Sequence, residues 1–163
     1  MEGAGDAVRC LALPIVGEQA LVPNAVVAEV LSADSVASVE NGPQWLLGSL
    51  TWRGSALPLV CMEAVLGGKR PELGGRSKVV VMKALTGSGP LHNYAFLVQG
   101  IPHQVLATGE SVEIDESVQD TRPFVALDVQ VEGHRAFIPD LDAVEQALID
   151  VIDDWQVVGG EGH

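Results

Sequence analysis

The 163-residue sequence has few cations, few aromatic residues and few cysteines. It contains 9 Lys and Arg against 22 Asp and Glu, which gives a formal charge of −13, and aromatic residues make up only 4% of the chain. A charge this negative repels a phosphate backbone, whereas proteins that bind nucleic acid carry basic patches. We therefore expect no nucleic-acid partner.

The two cysteines, Cys10 and Cys61, are too few for a disulfide framework. Each lies in an apolar run, which predicts a buried thiol and fits a reducing cytoplasm. No run approaches the ~18 apolar residues of a membrane span. The stretch from Met1 to Asp6 carries acids where an export signal needs positive charge. We expect a cytoplasmic protein without direct membrane insertion.

Most of the negative charge lies in the last third of the chain. Residues 109–163 contain 2 basic and 14 acidic residues, whereas residues 1–108 contain 7 and 8. Six of the nine cations lie between Arg53 and Lys83. Such polarity can orient and accelerate protein association, or it can serve solubility alone. The sequence leaves both interpretations open.

The distribution of apolar residues predicts a folded, mainly β domain. Hydrophobic residues make up 47% of the chain, which argues against disorder. They form short runs rich in β-branched residues, separated by Gly and Pro, as in strands. The predicted strands are Arg9–Val16, Gln19–Pro23, Val26–Leu31, Leu47–Trp52, Ala56–Val60, Ser77–Ala84, Asn93–Val98, Gln104–Leu106, Val112–Ile114, Phe124–Val131 and Arg135–Ile138. Glu132-Gly133-His134 is predicted to join the last two as a hairpin.

Two segments have helical patterns. Met62–Leu66 is short and is expected to stop at Gly67-Gly68, because glycine accepts the left-handed conformation of a helix end. The second helix begins after Pro139, with Asp140 as its cap, and ends at Ile152 or Trp155. Its apolar residues recur at spacings of three or four and predict an amphipathic helix. They are Leu141, Val144, Leu148, Val151, Ile152 and Trp155.

The strands fall into two sets of about five, separated near Ala84–Asn93. Two small barrels within one compact unit would accommodate them, because closing each sheet removes its exposed edges.

No catalytic, cofactor or metal site is predicted. The histidines at positions 92, 103, 134 and 163 have no partner at a metal-site spacing, and no glycine-rich phosphate loop is present. Acids after Gly109, such as Glu113, Asp115 and Glu116, more often form a solvated surface than an acid–base pair. A β-barrel enzyme or small-ligand-binding protein that uses these acids is the competing hypothesis.

The stretch from Trp45 to Val60 is the most distinctive. It holds two of the three tryptophans, and Gly48 and Gly54 bracket a strand that ends at Trp52 and Arg53. The tryptophans could fill a barrel core, or arginine and tryptophan could form an interface hot spot. Because neighbouring residues of a strand point in opposite directions, Trp52 can face the core while Arg53 faces a partner.

This stretch resembles the CheW-like adaptor family of bacterial chemosensory systems. The shared pattern is Gly48, Arg53-Gly54, Pro58 and Leu59-Val60, preceded by the strand Val27-Ala28-Glu29-Val30. The resemblance covers roughly Arg9 to Ile149. Two positions depart from the family, since Cys61 and Gln99 stand where acidic residues are usual. Leu21–Ala25, Trp45–Gly48 and Ile138–Leu141 look closer to the ChpC-type branch, which is linked to type IV pili and twitching motility.

The resemblance implies two SH3-like five-stranded barrels sharing a core. We expect a single domain of residues 8–155, and the sequence itself predicts flexible ends at 1–7 and 156–163. It implies no catalysis. It also implies two partners, the regulatory domain of a CheA-type histidine kinase and the cytoplasmic tip of a methyl-accepting chemoreceptor. A paralogue that binds only the kinase remains an alternative.

By residue match, the resemblance implies that Glu29 and Arg53 couple the protein to a receptor, with Gly48 and Gly54 shaping that surface. Trp52 is a further candidate, and so is Trp45, although core packing explains either tryptophan equally well.

Overall fold

The computed structural model describes residues 7–33, 37–38, 43–71, 75–85, 91–117 and 122–159, with backbone only at 37–38 and 152–159. These residues form twelve strands and two α-helices. The strands are β1 (Val8–Ile15), β2 (Glu18–Pro23), β3 (Val27–Ser32), β4 (Ala37–Ser38), β5 (Leu46–Trp52), β6 (Ser55–Cys61), β7 (Lys78–Lys83), β8 (Asn93–Val98), β9 (His103–Ala107), β10 (Val112–Ile114), β11 (Val125–Val131) and β12 (His134–Pro139). The helices are α1 (Met62–Val65) and α2 (Leu141–Gly159).

The strands form two six-stranded mixed sheets. Sheet A has the order β10-β11-β12-β2-β1-β9, and sheet B has the order β3-β7-β8-β6-β5-β4. In each sheet the two outermost strands follow each other in the chain, β9 and β10 in sheet A and β3 and β4 in sheet B. The predicted mainly β fold with a C-terminal helix is confirmed.

The predicted division of the strands near Ala84–Asn93 is wrong. The strands on either side of that point, β7 and β8, pair antiparallel in one sheet, with Lys83 opposite Asn93. Sheet B holds the middle of the chain, whereas sheet A joins β1 and β2 to β9–β12. The link is the parallel pairing of β12 with β2, where Ala136 lies opposite Gln19. Pairing between distant strands leaves no local signal in the sequence.

Alternation along the strands gives each sheet its own interior and a third core between the sheets. In β8, Tyr94 and Phe96 face the core shared by the two sheets, while Ala95 and Leu97 face the interior of sheet B. The shared core contains buried residues of both sheets and of α2: Leu13, Ile15, Ala20, Val22, Leu46, Val60, Met62, Val65, Val80, Met82, Leu91, Tyr94, Phe96, Val98, Phe137, Leu141, Val144 and Leu148. The two sheets therefore pack as one unit.

The segment β5–β6–α1 is repeated in structure by β11–β12–α2. The same difference in residue number relates Leu46 to Val125 and its partner Val60 to Pro139. In both hairpins a bulge follows the first residue of this pair. Every later pair of the two hairpins matches at the same offset. Both hairpins end in a two-residue turn with positive φ at both positions, Arg53-Gly54 and Glu132-Gly133.

The repeat extends to the helix starts. The N–H of Cys61 donates to the carbonyl of Trp45 at 2.7 Å, and the N–H of Asp140 donates to that of Phe124 at 2.9 Å. Asp140 caps α2 as predicted, since its Oδ1 accepts from the N–H of Ala143 at 3.1 Å. Cys61 makes no such side-chain cap for α1, and α1 ends after one turn.

Helix α2 runs to Gly159, beyond the predicted end at Ile152 or Trp155, and its side chains are described to Val151. The start of its apolar stripe, Leu141, Val144 and Leu148, is buried in the shared core. The predicted flexible ends, residues 1–7 and 156–163, fall largely outside the described residues.

Candidate protein-binding surface

Three of the predicted binding residues meet where β3 passes the β5–β6 turn. The indole N–H of Trp52 donates to Oε1 of Glu29 at 2.9 Å, and Nη2 of Arg53 lies 3.6 Å from the same oxygen. The guanidinium carbon of Arg53 lies 4.6 Å from the centroid of the Trp52 ring. Together with Gly54, the other turn residue, these residues are called the Trp–Arg surface below.

The turn places Arg53 in an uncommon backbone conformation. The φ angles are 50° at Arg53 and 81° at Gly54, as a type I′ hairpin turn requires. Glycine accepts this region freely, whereas a residue with a Cβ is strained there by roughly 1–2 kcal/mol. Stacking on Trp52 contributes about 0.5–1 kcal/mol at an exposed site and offsets part of the strain. The turn therefore holds the guanidinium at the tip of a rigid hairpin.

Exposure leaves most of this surface free for a partner. The Arg53 side chain is 72% exposed and that of Glu29 is 41% exposed, so their ion pair is worth about 0–1 kcal/mol. Trp52 packs against the interior of sheet B while its ring carries Arg53. Trp52 is more buried than Arg53, as the alternation of side chains along a strand predicts. The Arg53 guanidinium nevertheless folds back over the Trp52 ring, so both residues belong to one surface. Core packing and surface display coexist at Trp52.

Gly48 lies elsewhere. It is buried within β5, opposite Leu59 and next to the bulge of that strand. Four strand positions separate it from Trp52, about 13 Å along the strand. Trp45 packs against the shared core, also away from the turn. The structure thus gathers Glu29, Trp52, Arg53 and Gly54 and leaves Gly48 in the sheet.

Sequence reasoning missed an ion network on sheet A. Arg122 binds Glu18 with two bonds, Nη1 to Oε2 at 2.7 Å and Nη2 to Oε1 at 3.0 Å, and Nη2 also binds Asp128. Hydrogen bonds to Glu18 above all raise the pKa of Arg122 above its ordinary value. Glu18 lies more than a hundred positions before Arg122 in the chain, so no motif or spacing could have revealed the pair.

The acids after Gly109 that the structure describes do not converge. Asp115 accepts from the N–H of Ser117 at 3.0 Å, Asp128 binds Arg122, and Asp140 caps α2. Within the described ranges, no group of three or more His, Cys, Asp or Glu residues could hold a metal ion. A groove of about 410 Å³ between the sheets is lined by none of these acids. The competing enzyme or ligand-binding hypothesis gains no support.

Both cysteines are free and buried, as predicted. Cys61 lies at the start of α1, where its thiol donates to Oε1 of Glu63 at 3.6 Å. Burial, with a smaller effect of the Glu63 carboxylate, raises the pKa of Cys61 to about 11, and burial also raises the pKa of Cys10. Since only the thiolate reacts with alkylating agents, we expect both cysteines to react slowly with them.

We expect iodoacetamide at pH 8 to modify Cys61 in the native protein at least 100-fold more slowly than in the unfolded chain. At a pKa of about 11 roughly 0.1% of the thiol is ionised at that pH, against roughly a quarter at an unperturbed pKa of ~8.5. Mass spectrometry of a time course measures the rate. Ser55→Cys, at an exposed position, supplies a reactive internal control, and equal rates at positions 55 and 61 would contradict the expectation.

The family model of the CheW-like domain matches residues 9–148. The chain belongs to the CheW-like domain family. The scaffolding protein TtCheW from Thermoanaerobacter tengcongensis has a similar structure, with a TM-score of 0.66 at 16% sequence identity, covering 82% of this chain and 88% of that chain. This likeness supports the fold. No curated protein matches the sequence.

CheW-like proteins are non-enzymatic scaffolds of chemotaxis signalling that interact with CheA and chemoreceptors. The chain is thus a CheW-like scaffold or adaptor protein. No helix in the described part of the chain is long and apolar enough to cross a membrane.

Proposed function

We propose that this CheW-like protein couples the regulatory domain of a CheA-type histidine kinase to the cytoplasmic tip of a methyl-accepting chemoreceptor. The observation that carries the proposal is the convergence of Glu29, Trp52 and Arg53 into one exposed surface on a rigid turn. The receptor is the partner assigned to this surface, which leaves other surfaces of the protein for the kinase.

The Trp–Arg surface has the chemistry of an interface hot spot. Arginine and tryptophan are the residue types most enriched at such positions. The guanidinium has five N–H donors, and its contact with Glu29 at 3.6 Å is long. A carboxylate or carbonyl oxygen of the partner can therefore bind Arg53 without breaking a strong internal interaction. The indole beneath supplies apolar area that is already ordered, which lowers the entropy lost on binding.

The three segments that resemble the ChpC-type branch support type IV pilus twitching motility as the process that this coupling controls. These are Leu21–Ala25, Trp45–Gly48 and Ile138–Leu141.

Reversal of the charge at the turn tests the proposal. Arg53→Glu is expected to weaken receptor binding at least tenfold, because it removes the hydrogen-bond donors and places a second carboxylate beside Glu29. The fold should persist, since the Arg53 side chain is largely exposed. Isothermal titration calorimetry with a purified receptor fragment and a purified kinase regulatory domain gives both affinities, and circular dichroism checks the fold.

Arg76→Glu is the matched control, because it makes the same charge reversal at an exposed arginine. It should leave receptor affinity within about twofold of the wild type. Unchanged receptor affinity of Arg53→Glu would overturn the assignment of the receptor to this surface, and unchanged affinity for both partners would overturn the surface as a binding site. Wild-type protein that binds the kinase domain but no receptor fragment would instead identify the kinase-only paralogue.

A further inference from the structure

Two buried carboxylates bridge the two sheets. Glu63 and Glu145 are 6% and 2% exposed, and they are the buried acidic side chains of the described part of the chain. Glu63 belongs to α1, which follows sheet B, and its Oε2 accepts from the N–H of Val16 in the β1–β2 turn of sheet A at 2.9 Å. Glu145 belongs to α2, which follows sheet A, and its oxygens accept from the N–H of Leu85, just beyond β7 of sheet B, at 3.0 and 2.8 Å.

The two bonds are reciprocal. Helices α1 and α2 start at equivalent positions of the structural repeat. The strand pairs that they contact are equivalent as well, because β1–β2 and β7–β8 are antiparallel hairpins whose second strands, β2 and β8, pair in parallel with β12 and β6. Each carboxylate thus runs from the helix after one sheet to the hairpin of the other sheet.

These acids are not explained by stability alone. Neither carboxylate forms an ion pair with a described residue, and a buried carboxylate without a cation is costly. What the carboxylates add is direction, since each holds a backbone N–H from the other sheet at a fixed place. Glu63 also accepts from the Cys61 thiol, and Glu145 also lies near the Tyr94 hydroxyl. Buried polar groups that favour one arrangement over others act in this way.

The two N–H donors belong to residues just beyond the ends of β1 and β7. Val16 is 64% exposed and Leu85 is 47% exposed, both at the ends of hairpin strands. The carboxylates are the acceptors for these two amides. Amide exchange at Val16 and Leu85 is therefore a direct readout of the two bonds.

We propose that Glu63 and Glu145 form a reciprocal pair of latches that fix the orientation of sheet A relative to sheet B. This inference needs no partner and stands apart from the proposed adaptor function. The Glu63 latch also borders the groove between the sheets, whose walls include Val16, Leu66 and Arg122. Release of this latch removes the hydrogen bond that joins α1 to the β1–β2 turn on one wall of that groove.

Glu63→Met and Glu145→Met remove the acceptors and keep nearly the same side-chain length. Residue-resolved hydrogen exchange by NMR should show at least tenfold faster exchange of the Val16 amide in Glu63→Met, with Leu85 unchanged, and the converse in Glu145→Met. Glu63→Gln and Glu145→Gln keep one carbonyl acceptor and should restore most of the protection. If the exchange rates of the Val16 and Leu85 amides are the same in the two Met variants as in the two Gln variants, the proposed latches are wrong.

A distance measurement tests the orientation itself. Spin labels at Ser55→Cys and His134→Cys occupy exposed, repeat-equivalent positions on sheets B and A. Double electron–electron resonance should give a distance distribution at least twice as wide in the double Met variant as in the parent protein. An unchanged width would reject the control of orientation. If the double variant does not fold, each single Met variant is measured in the same way, with a smaller broadening expected.

Discussion

Replacement of Arg122 by methionine is expected to lower the free energy of unfolding by about 3–5 kcal/mol. The side chains of Arg122, Glu18 and Asp128 are only 16%, 12% and 14% exposed, so water screens them weakly. Methionine fills the aliphatic volume but leaves two carboxylates of the same sign close together, with only the long, exposed contact of Arg135 to Glu18 as a remaining cation. Urea unfolding followed by circular dichroism measures the loss as a shift of the midpoint at constant slope.

Arg135→Met is the matched control for this prediction. Arg135 also approaches Glu18, but at 3.9 Å and with 54% of its side chain exposed, so its loss should change stability by less than about 0.5 kcal/mol. Neutralisation of the stranded acids, by Glu18→Gln and Asp128→Asn in the Arg122→Met background, should recover part of the loss. Equal effects of the two arginine substitutions would show that Arg122 acts only through its aliphatic stem.

The second large effect is expected at the centre of the shared core. Phe96→Ala should lower the free energy of unfolding by about 3–5 kcal/mol, because it removes a fully buried ring and leaves a cavity. Phe96 lies in the middle of β8 between β7 and β6. Its ring meets that of Tyr94 edge to face, with centroids 5.4 Å apart, which adds about 0.5–1.5 kcal/mol.

Because Phe96 belongs to a buried cluster that contains residues of both sheets and of α2, the loss should destabilise both sheets in one cooperative transition. Thermal unfolding followed by calorimetry and by tryptophan fluorescence should give coincident midpoints for the variant. Val30→Ala, at a position 41% exposed on β3, provides the control and should change stability by less than about 1 kcal/mol. Separate transitions for the two sheets would contradict a shared core.

Local features of the sequence predicted individual elements well. The bounds of β8 and β10 agree with the predicted strands to the residue, because apolar runs and turn residues delimit them. The hairpin at Glu132-Gly133 and the Asp140 cap follow from turn and capping chemistry that acts over a few residues. The two-residue β4 was not predicted, since so short a strand has no periodicity.

The binding surface was only partly predictable. The resemblance to the CheW-like family pointed to Glu29 and Arg53, and the composition of the stretch pointed to Trp52. Trp52 and Arg53 both contact Oε1 of Glu29, and Arg53 stacks on the Trp52 ring. These contacts form because β3 lies beside the β5–β6 turn, and no spacing in the chain encodes that proximity. Arg122 with Glu18, and Glu63 with Val16, were missed for the same reason, since their partners are distant in sequence.

The sequence by itself determined the fold class, the hairpin turns, the amphipathic C-terminal helix and the family. Only the tertiary structure decided which strands share a sheet. The charges can then be assigned to one sheet or the other. Residues 27–98, which hold all the strands of sheet B, contain six Lys and Arg against five Asp and Glu, whereas the rest of the chain contains three against seventeen. The negative charge therefore lies on the side of sheet A, but it comes from the C-terminal part of the chain, because β1 and β2 together hold one basic and one acidic residue, Arg9 and Glu18. The physical reason is that strand pairing joins segments that are remote in sequence, so β1 and β2 lie with the acidic C-terminal strands.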